Sequence, residues 1–550
     1  MRYALVLAVA VLFAPSQLRA ADPPITFQTQ PLDRVLDDFR IAADLIGGEK
    51  AVKAVNAQIK KTFGEKGLEG LDLTRPLVGY VILAPKPEDI TAVIALPITG
   101  EKEFLALCDR TNPEKHKPLG NGLYQLPPLD TRYKARLRFS EQYAYIAYGA
   151  NPEPALNPKE LVPPAKLYDP AERAIIAGKF HFDRLTPEVK KAMPVLLAEV
   201  KNTIFAPRAL GLGQPELEIL KEPLAELDKL AARYLLLMGG ADSATVRVNL
   251  DVPTGDLIVE ATLAGKPGSE LSKMIAAWKP TGNKFGALLT PDTVAGFKTR
   301  LPFVNDELRT AGVKLLEVGQ KEVVKDAPQV AKATLDEAFK GLIRTVKTGE
   351  FDIAGGIRGP DKDGWFTVVG AIAFEDPAAL EKEFKTYIEK DAPQDELNRI
   401  KWDAAKAGNV NIHTYKFPGE GFLDPSKAFG GDKCTLAFAF APKGIFLVLG
   451  PDPIPVMKDA LAVKPSDSTG FDLVINPARV SKLAEKFGGN PLDVEKALGK
   501  EDKLLSAMSL KITGGKELTA RFAINLRLIP RAIALESLDE PPPPPPVDKR

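Results

Sequence analysis

Apolar residues recur along this chain at two spacings, one helical and one alternating, and the two spacings succeed each other in a fixed order. Leu32, Val35, Leu36 and Phe39 fall at i, i+3, i+4 and i+7, and Val52, Val55, Ile59 and Phe63 form a second such stripe. A pair of amphipathic helices is predicted there, ending near Gly64 and Gly67. Further along, Leu335, Phe339, Leu342 and Val346 repeat the stripe, and Gly349 follows it. Alternating runs come next. Residues 79–83 and 91–98 read as strands, as do 135–139 with 143–148, and 436–440 with 445–449. Asp363-Gly364, between Ile357 and Trp365, is a hairpin turn signal. Thr186-Pro187 and Asn476-Pro477 each place a capping side chain before a proline at the first helical position. Strands joined by short turns rather than helical crossovers imply an antiparallel sheet.

The order of these elements is written twice. Phe27-Gln28-Thr29-Gln30 returns as Phe297-Lys298-Thr299-Arg300, and Glu101-Lys102-Glu103-Phe104 returns as Glu381-Lys382-Glu383-Phe384. Gly149-x-Asn151-Pro152-x-Pro154 returns as Gly450-x-Asp452-Pro453-x-Pro455, and three weaker echoes keep the same order. Serial recurrence of this kind points to duplication. The expected fold is therefore α+β, with two tandem pseudo-repeated lobes, each a curved antiparallel sheet with helices on one face. The expected boundaries are a signal peptide at 1–20, lobe 1 at 21–280, lobe 2 at 281–533 and a disordered proline-rich tail at 534–550.

Composition narrows the class. At 550 residues the chain exceeds what one hydrophobic core serves. Hydrophobic content of 45% and charged content of 26% are those of an ordinary globular protein. The net charge of +1, with both signs interspersed, gives no footprint for nucleic acid. Arg2, the apolar run from Ala4 to Ala14 and the small residue Ala20 read as an export signal cleaved after Ala20. That run is too short to span a bilayer, and the mature chain is expected to hold no transmembrane segment. The protein is thus expected in the periplasm or outside the cell. Cys108 and Cys434 both follow apolar patterns and read as small buried hydrophobes. Pro541 to Pro546 form a polyproline rod suited to a spacer.

Candidate chemistry is sparse. No Gly-x-Ser-x-Gly elbow occurs, and the three histidines, at 116, 181 and 413, show no pair at zinc-ligand spacing. Thr513-Gly514-Gly515-Lys516 lies between two strands and reads as a turn rather than a phosphate cradle. Asp361-x-Asp363-Gly364 begins like a calcium loop but lacks the downstream glutamate, and reads as a hairpin tip. His181 and Asp183 share a strand face by alternation, yet Asp183 sits where a helix cap is being prepared, so a structural role is expected. No catalytic, metal or cofactor site is therefore expected. The lobes differ most at their third hairpin. Arg136, Arg138, Tyr143 and Tyr145 share one face in lobe 1, where lobe 2 has Ala437, Ala439, Gly444 and Phe446. Arginine and tyrosine are favoured at binding surfaces, so lobe 1 is expected to present an Arg/Tyr binding face, and lobe 2 a hairpin buried on both sides.

The helix pair, Leu71-Asp72-Leu73-x-x-Pro76, Tyr143-x-Tyr145 and Gly265-Lys266-Pro267-Gly268-Ser269 together resemble a group of exported bacterial proteins with no assigned function. That resemblance implies a two-lobed envelope or secreted protein, with no cofactor and no catalytic residues to carry over. The expected function is a non-catalytic binding or scaffold protein of the cell envelope, its partner an envelope protein or an apolar ligand. The competing class is an exported hydrolase with a Ser/Lys or carboxylate site.

Overall fold

The computed structural model describes residues 23–84, 89–112, 114–127, 133–191, 237–278, 282–302, 306–325, 327, 331–417, 424–442, 444–465, 470–488 and 508–528. The expected signal peptide and the proline run lie outside these residues. The chain divides into two compact units, mixed α+β, with strands paired antiparallel throughout. The described part of the first unit is 23–191 with 237–272, and that of the second is 273–528.

In the first unit the chain runs β1 (Ile25–Pro31), α1 (Leu32–Phe63), β2 (Pro76–Ile82), β3 (Thr91–Pro97), α2 (Glu101–Thr111), β4 (Lys117–Gly120) and β5 (Leu123–Leu126). It continues through β6 (Lys134–Ser140), β7 (Tyr143–Gly149), β8 (Ile176–His181), β9 (Ala241–Asp251) and β10 (Asp256–Gly265). Pairing gives the order β10-β9-β8-β1-β2-β3-β7-β6-β5-β4. The predicted helix pair is one long element broken at Gly47 and Gly48, whose backbone leaves helical geometry. Asn121 and Gly122 both take positive φ between β4 and β5, the geometry a two-residue hairpin loop demands.

In the second unit the chain runs β11 (Thr293–Pro302), α3 (Asp306–Lys325), α4 (Lys332–Lys347), β12 (Glu350–Arg358), β13 (Thr367–Ala373), α5 (Pro377–Asp391), β14 (Ile400–Ala407) and β15 (Val410–Lys416). Next come β16 (Thr435–Ala441), β17 (Gly444–Gly450), α6 (Pro453–Leu461), β18 (Phe471–Ile475), α7 (Pro477–Lys486), β19 (Met508–Thr513) and β20 (Glu517–Asn525). Its sheet order is β20-β19-β18-β11-β12-β13-β17-β16-β15-β14. As the sequence predicts, Asn476 caps α7, its side chain accepting from the Arg479 amide at 3.1 Å. The Asp361 carboxylate likewise accepts from the amides of Asp363 and Trp365 at 2.9 and 2.8 Å, so this is a self-bonded turn joining β12 to β13.

The expectation of helices on one face alone is corrected in both units. In the first, α2 lays Phe104 and Leu107 over Leu137 and Ala144, while residues 155–167 lay Leu156, Val162 and Leu167 over the opposite side of the same strands. In the second, Phe384 of α5 meets the rings of Phe438 and Phe440 at 5.7 and 6.4 Å. On the other side, Met457 and Ala460 of α6 cover Ala437, Ala439, Phe446 and Val448. The cause is visible in the strands. Alternate positions of β16 are alanine and phenylalanine, apolar on both sides, and each side needs its own cover.

The close packing of α4 generates a paired prediction. Gly341 faces Phe374, whose ring occupies the place a β-carbon would take, and Gly341→Ala should lower stability by about 1–3 kcal/mol through overpacking. At Gly319 in α3 the nearest atom to an added β-carbon is Phe339 Cε1 at 3.6 Å, an ordinary contact. Gly319→Ala should therefore raise stability by up to about 1 kcal/mol through helix propensity. Urea midpoints of the two variants should move in opposite directions.

Candidate functional site

Residues Arg136, Arg138, Tyr143 and Tyr145 are brought together on one sheet face, as the alternation of β6 and β7 requires; Arg138 and Tyr145 are direct cross-strand partners. That face is not a surface. Tyr143 and Tyr145 are 3% and 1% exposed and belong to the core under residues 155–167. The Tyr145 hydroxyl donates to the Val162 carbonyl at 3.1 Å. The Arg75 guanidinium lies 4.3 Å from the centre of the Tyr143 ring. Arg136 is itself buried, its Nε donating to Glu153 at 2.6 Å, and Arg138 is half-buried. The tyrosines close a core with their rings and spend their hydroxyls on main-chain carbonyls, so the expected Arg/Tyr binding face does not form. His181 and Asp183 lie at the end of β8 and in the helical turn 182–184. Burial, then Arg184 and Lys179, press the His181 pKa downward.

Both cysteines are free thiols. Cys434 is buried and Cys108 packs against the core beneath α2. Burial pushes each thiol up to about 11, which leaves them protonated and unreactive.

The best-formed titratable group centres on His413, one of the three histidines without a partner at zinc-ligand spacing in the sequence. His413 on β15 stands opposite a bulge in β14, where Lys401 pairs with Thr414 and Ala405 with Ile412, so that Trp402, Asp403 and Ala404 crowd one partner. Asp403 takes φ 52° at the bend. This turns its amide to donate to His413 Nδ1 at 3.0 Å. An accepting Nδ1 leaves the ring proton on Nε2, which donates to Glu381 of α5 at 3.1 Å. One helical turn on, Lys385 holds Glu381 at 2.7 Å and reaches Asp403 at 3.7 Å. Ligand-type atoms of Glu381, Asp403 and His413 lie within 4.8 Å of one another, a spacing that would suit a metal cation. The Lys385 ammonium already lies against both carboxylates, however, and both imidazole nitrogens are engaged, so the chain supplies its own cation. Trp402, Phe438 and Phe440 wall the imidazole, which is fully buried. No substrate reaches it. The network pins the edge strand β14 to α5.

The second unit also carries an open apolar place. On the face opposite α6, one row of cross-strand partners reads Leu473, Phe297, Gly355, Gly370, Leu447 and Phe438. Phe297 and Leu447 belong to interior strands yet are 37% and 47% exposed. Between them the two glycines lie side by side. An added β-carbon on Gly370 would meet, among the described residues, only the Ala354 carbonyl oxygen at 3.7 Å and Gly355 Cα at 4.0 Å. On Gly355 it would meet only main-chain atoms of Val369 and Gly370, at 3.3 and 3.5 Å. Ile353 and Ile372 bound this trough along the strands on one side, Ile357 and Val368 on the other. Phe297 and Leu447 stand three strand spacings apart, about 14 Å. The hairpin expected to be buried on both faces is therefore open at Leu447, while its counterpart in the first unit, expected to be open, is closed.

The His413 network generates a pH prediction. Burial, then Lys385, lowers the His413 pKa from its ordinary 6.5, outweighing the opposite pull of Glu381 and Asp403. Below that ordinary value the unfolded chain binds a proton that the folded chain refuses, so stability falls as the pH falls. Between about pH 7.5 and 5.5 the wild type should lose more unfolding free energy than His413→Gln, with His181 common to both. Equal slopes in denaturant titrations would show that His413 does not stay neutral in the fold. Comparison of the chain with protein-family models, with curated proteins and with solved structures gives no match.

Proposed function

We propose that this chain is an exported, non-catalytic binding protein, made of two copies of one sheet-and-helix module, that holds an apolar ligand on its second unit. The observation that carries the reading is the trough over Gly355 and Gly370, whose flanking Phe297 and Leu447 stay exposed in strands that are otherwise closed on both faces. Ligand sites are typically apolar concavities with few polar groups, and this one is floored by backbone and walled by branched aliphatic side chains.

Duplication is supported by topology. Adding ten to every strand number in the first unit's sheet order yields the second unit's order. Sequence echoes sit at matching places in that order: Phe27 pairs with Gly79 as Phe297 pairs with Gly355, and Gly149 and Gly450 end β7 and β17. Export is supported by the Arg2, Ala4–Ala14 and Ala20 pattern. Against a carboxylate hydrolase site, the clustered carboxylates of Glu381 and Asp403 are engaged by the Lys385 ammonium at 2.7 and 3.7 Å.

The test is recovery of the full chain, secreted from a bacterial host, followed by solvent extraction and mass spectrometry of what it carries, and titration with an environment-sensitive apolar dye. The expected result is an N-terminus at Ala21, a co-purifying apolar small molecule and saturable dye uptake displaced by it. A chain that carries nothing and shows no saturable uptake would overturn the binding reading.

A further inference from the structure

The same register position is treated differently in the two sheets. In the first unit Phe27 pairs with Gly79, Gly79 with Ile94, and Ile94 with Ile146. The tip of the Phe27 ring, Cζ and Cε2, occupies the place a β-carbon would take on Gly79, and the next place across is filled by the Ile94 side chain. In the second unit Phe297 pairs with Gly355, Gly355 with Gly370, and Gly370 with Leu447. Gly370 stands where the first sheet has Ile94, and the Phe297 ring leaves Gly355 uncovered among the described residues. Beside Phe297 the second sheet has Leu473, where the first sheet has Gly178 beside Phe27.

Resting on the reading of the chain as a binding protein, we propose that the trough over Gly355 and Gly370 takes a planar apolar ring system, an aromatic hydrocarbon group, in the place that the Phe27 ring and Ile94 side chain fill in the first unit. The first unit shows what this backbone accepts. A ring can enter that place only over a glycine, because any other residue sets a β-carbon there. The second unit keeps the glycine, removes the branched neighbour and turns its own phenylalanine aside, which frees the volume of a benzyl and a butyl group. Phe297 and Leu447 would clasp the ring system from either side, and Ile353 with Ile372 would meet its far edge. The central row offers no side-chain hydrogen-bonding group, so the buried part of the ligand is hydrocarbon and any polar group stays at the rim.

The test uses the full chain and two probes, N-phenyl-1-naphthylamine for planar rings and cis-parinaric acid for linear acyl chains. The wild type should bind one equivalent of the naphthylamine, with the acyl probe weaker. Gly370→Ile restores the first unit's residue where the nearest atom to its β-carbon is 3.7 Å away, and should weaken naphthylamine binding by at least about tenfold, the effect of denying burial to roughly two methylene equivalents. Leu447→Glu alters only an exposed wall, folds regardless of the first variant's fate, and should weaken it likewise. Phe27→Ala with Ile94→Gly should open the matching place in the first unit and raise the stoichiometry from one to two. Saturable naphthylamine binding that neither Gly370→Ile nor Leu447→Glu weakens would place the ligand elsewhere and overturn this inference while leaving the binding reading intact. Tighter binding of the acyl probe, lost in both variants, would overturn the ring assignment alone. Binding of neither probe by the wild type would overturn the binding reading itself.

Discussion

Each unit is governed by the need to cover both sides of a sheet whose central strands are apolar on both sides. Backbone pairing fixes which residues share a face, because cross-strand partners point the same way and a slip of one residue would reverse all of them. Once that register is set, every other element has a defined task. In the first unit α2 closes one side with Phe104 and the run 155–167 closes the other with Leu156 and Leu167. In the second, α5 and α6 divide the work in the same manner. Helices here are covers dictated by the sheet, which explains why they come between strands rather than as crossovers joining parallel ones.

The strand pattern and most turns were legible in the sequence because their determinants are local. Alternation marked both third hairpins within a residue of their ends, and the capping asparagine before a proline located α7. Which faces would be open was not legible, because exposure depends on elements far along the chain. Arg136 and Tyr145 look like surface residues until residues 153–168 are laid across them, bringing Glu153 to the guanidinium and the Val162 carbonyl to the phenol. Conversely Leu447, in a run of apolar residues, looks like core. Its exposure arises because its neighbour across the strand is Gly370, a residue 77 positions away in sequence that the hairpin itself cannot reveal.

The histidine network illustrates the same limit. His413 and Glu381 come from a strand and a helix, and the link that orients the imidazole is a main-chain amide swung round by a left-handed aspartate in a bulge. A bulge leaves little trace in composition. The available signal was Glu381 and Lys385 one turn apart on an amphipathic helix, which by itself describes any solvated helix face. Burying a neutral imidazole between two carboxylates would favour its protonation. Lys385 offsets this by neutralising those carboxylates, so the aromatic wall and the lysine act together to hold the imidazole neutral.

The two sheets share one strand order but differ in their side chains at equal register. Gln28 of β1 is spent on the main chain of Asp169, exchanging hydrogen bonds with it at 2.7 and 3.0 Å. The matching Lys298 instead faces Asp472 at 3.8 Å, where the first sheet has Ala177. Both arrangements set a polar partner beside a largely buried polar position without altering the ladder. The Ile94 and Gly370 positions differ in bulk rather than in polarity. Removing a branched side chain from a central strand sacrifices several methyl groups of burial, a cost of about 2–5 kcal/mol for a cavity closed on all sides. An open trough incurs less, because water enters where the side chain was, and an apolar guest that displaces this water regains part of the lost burial. Emptying one face of one sheet is therefore the change that this architecture tolerates most easily, provided the other face and the register remain intact.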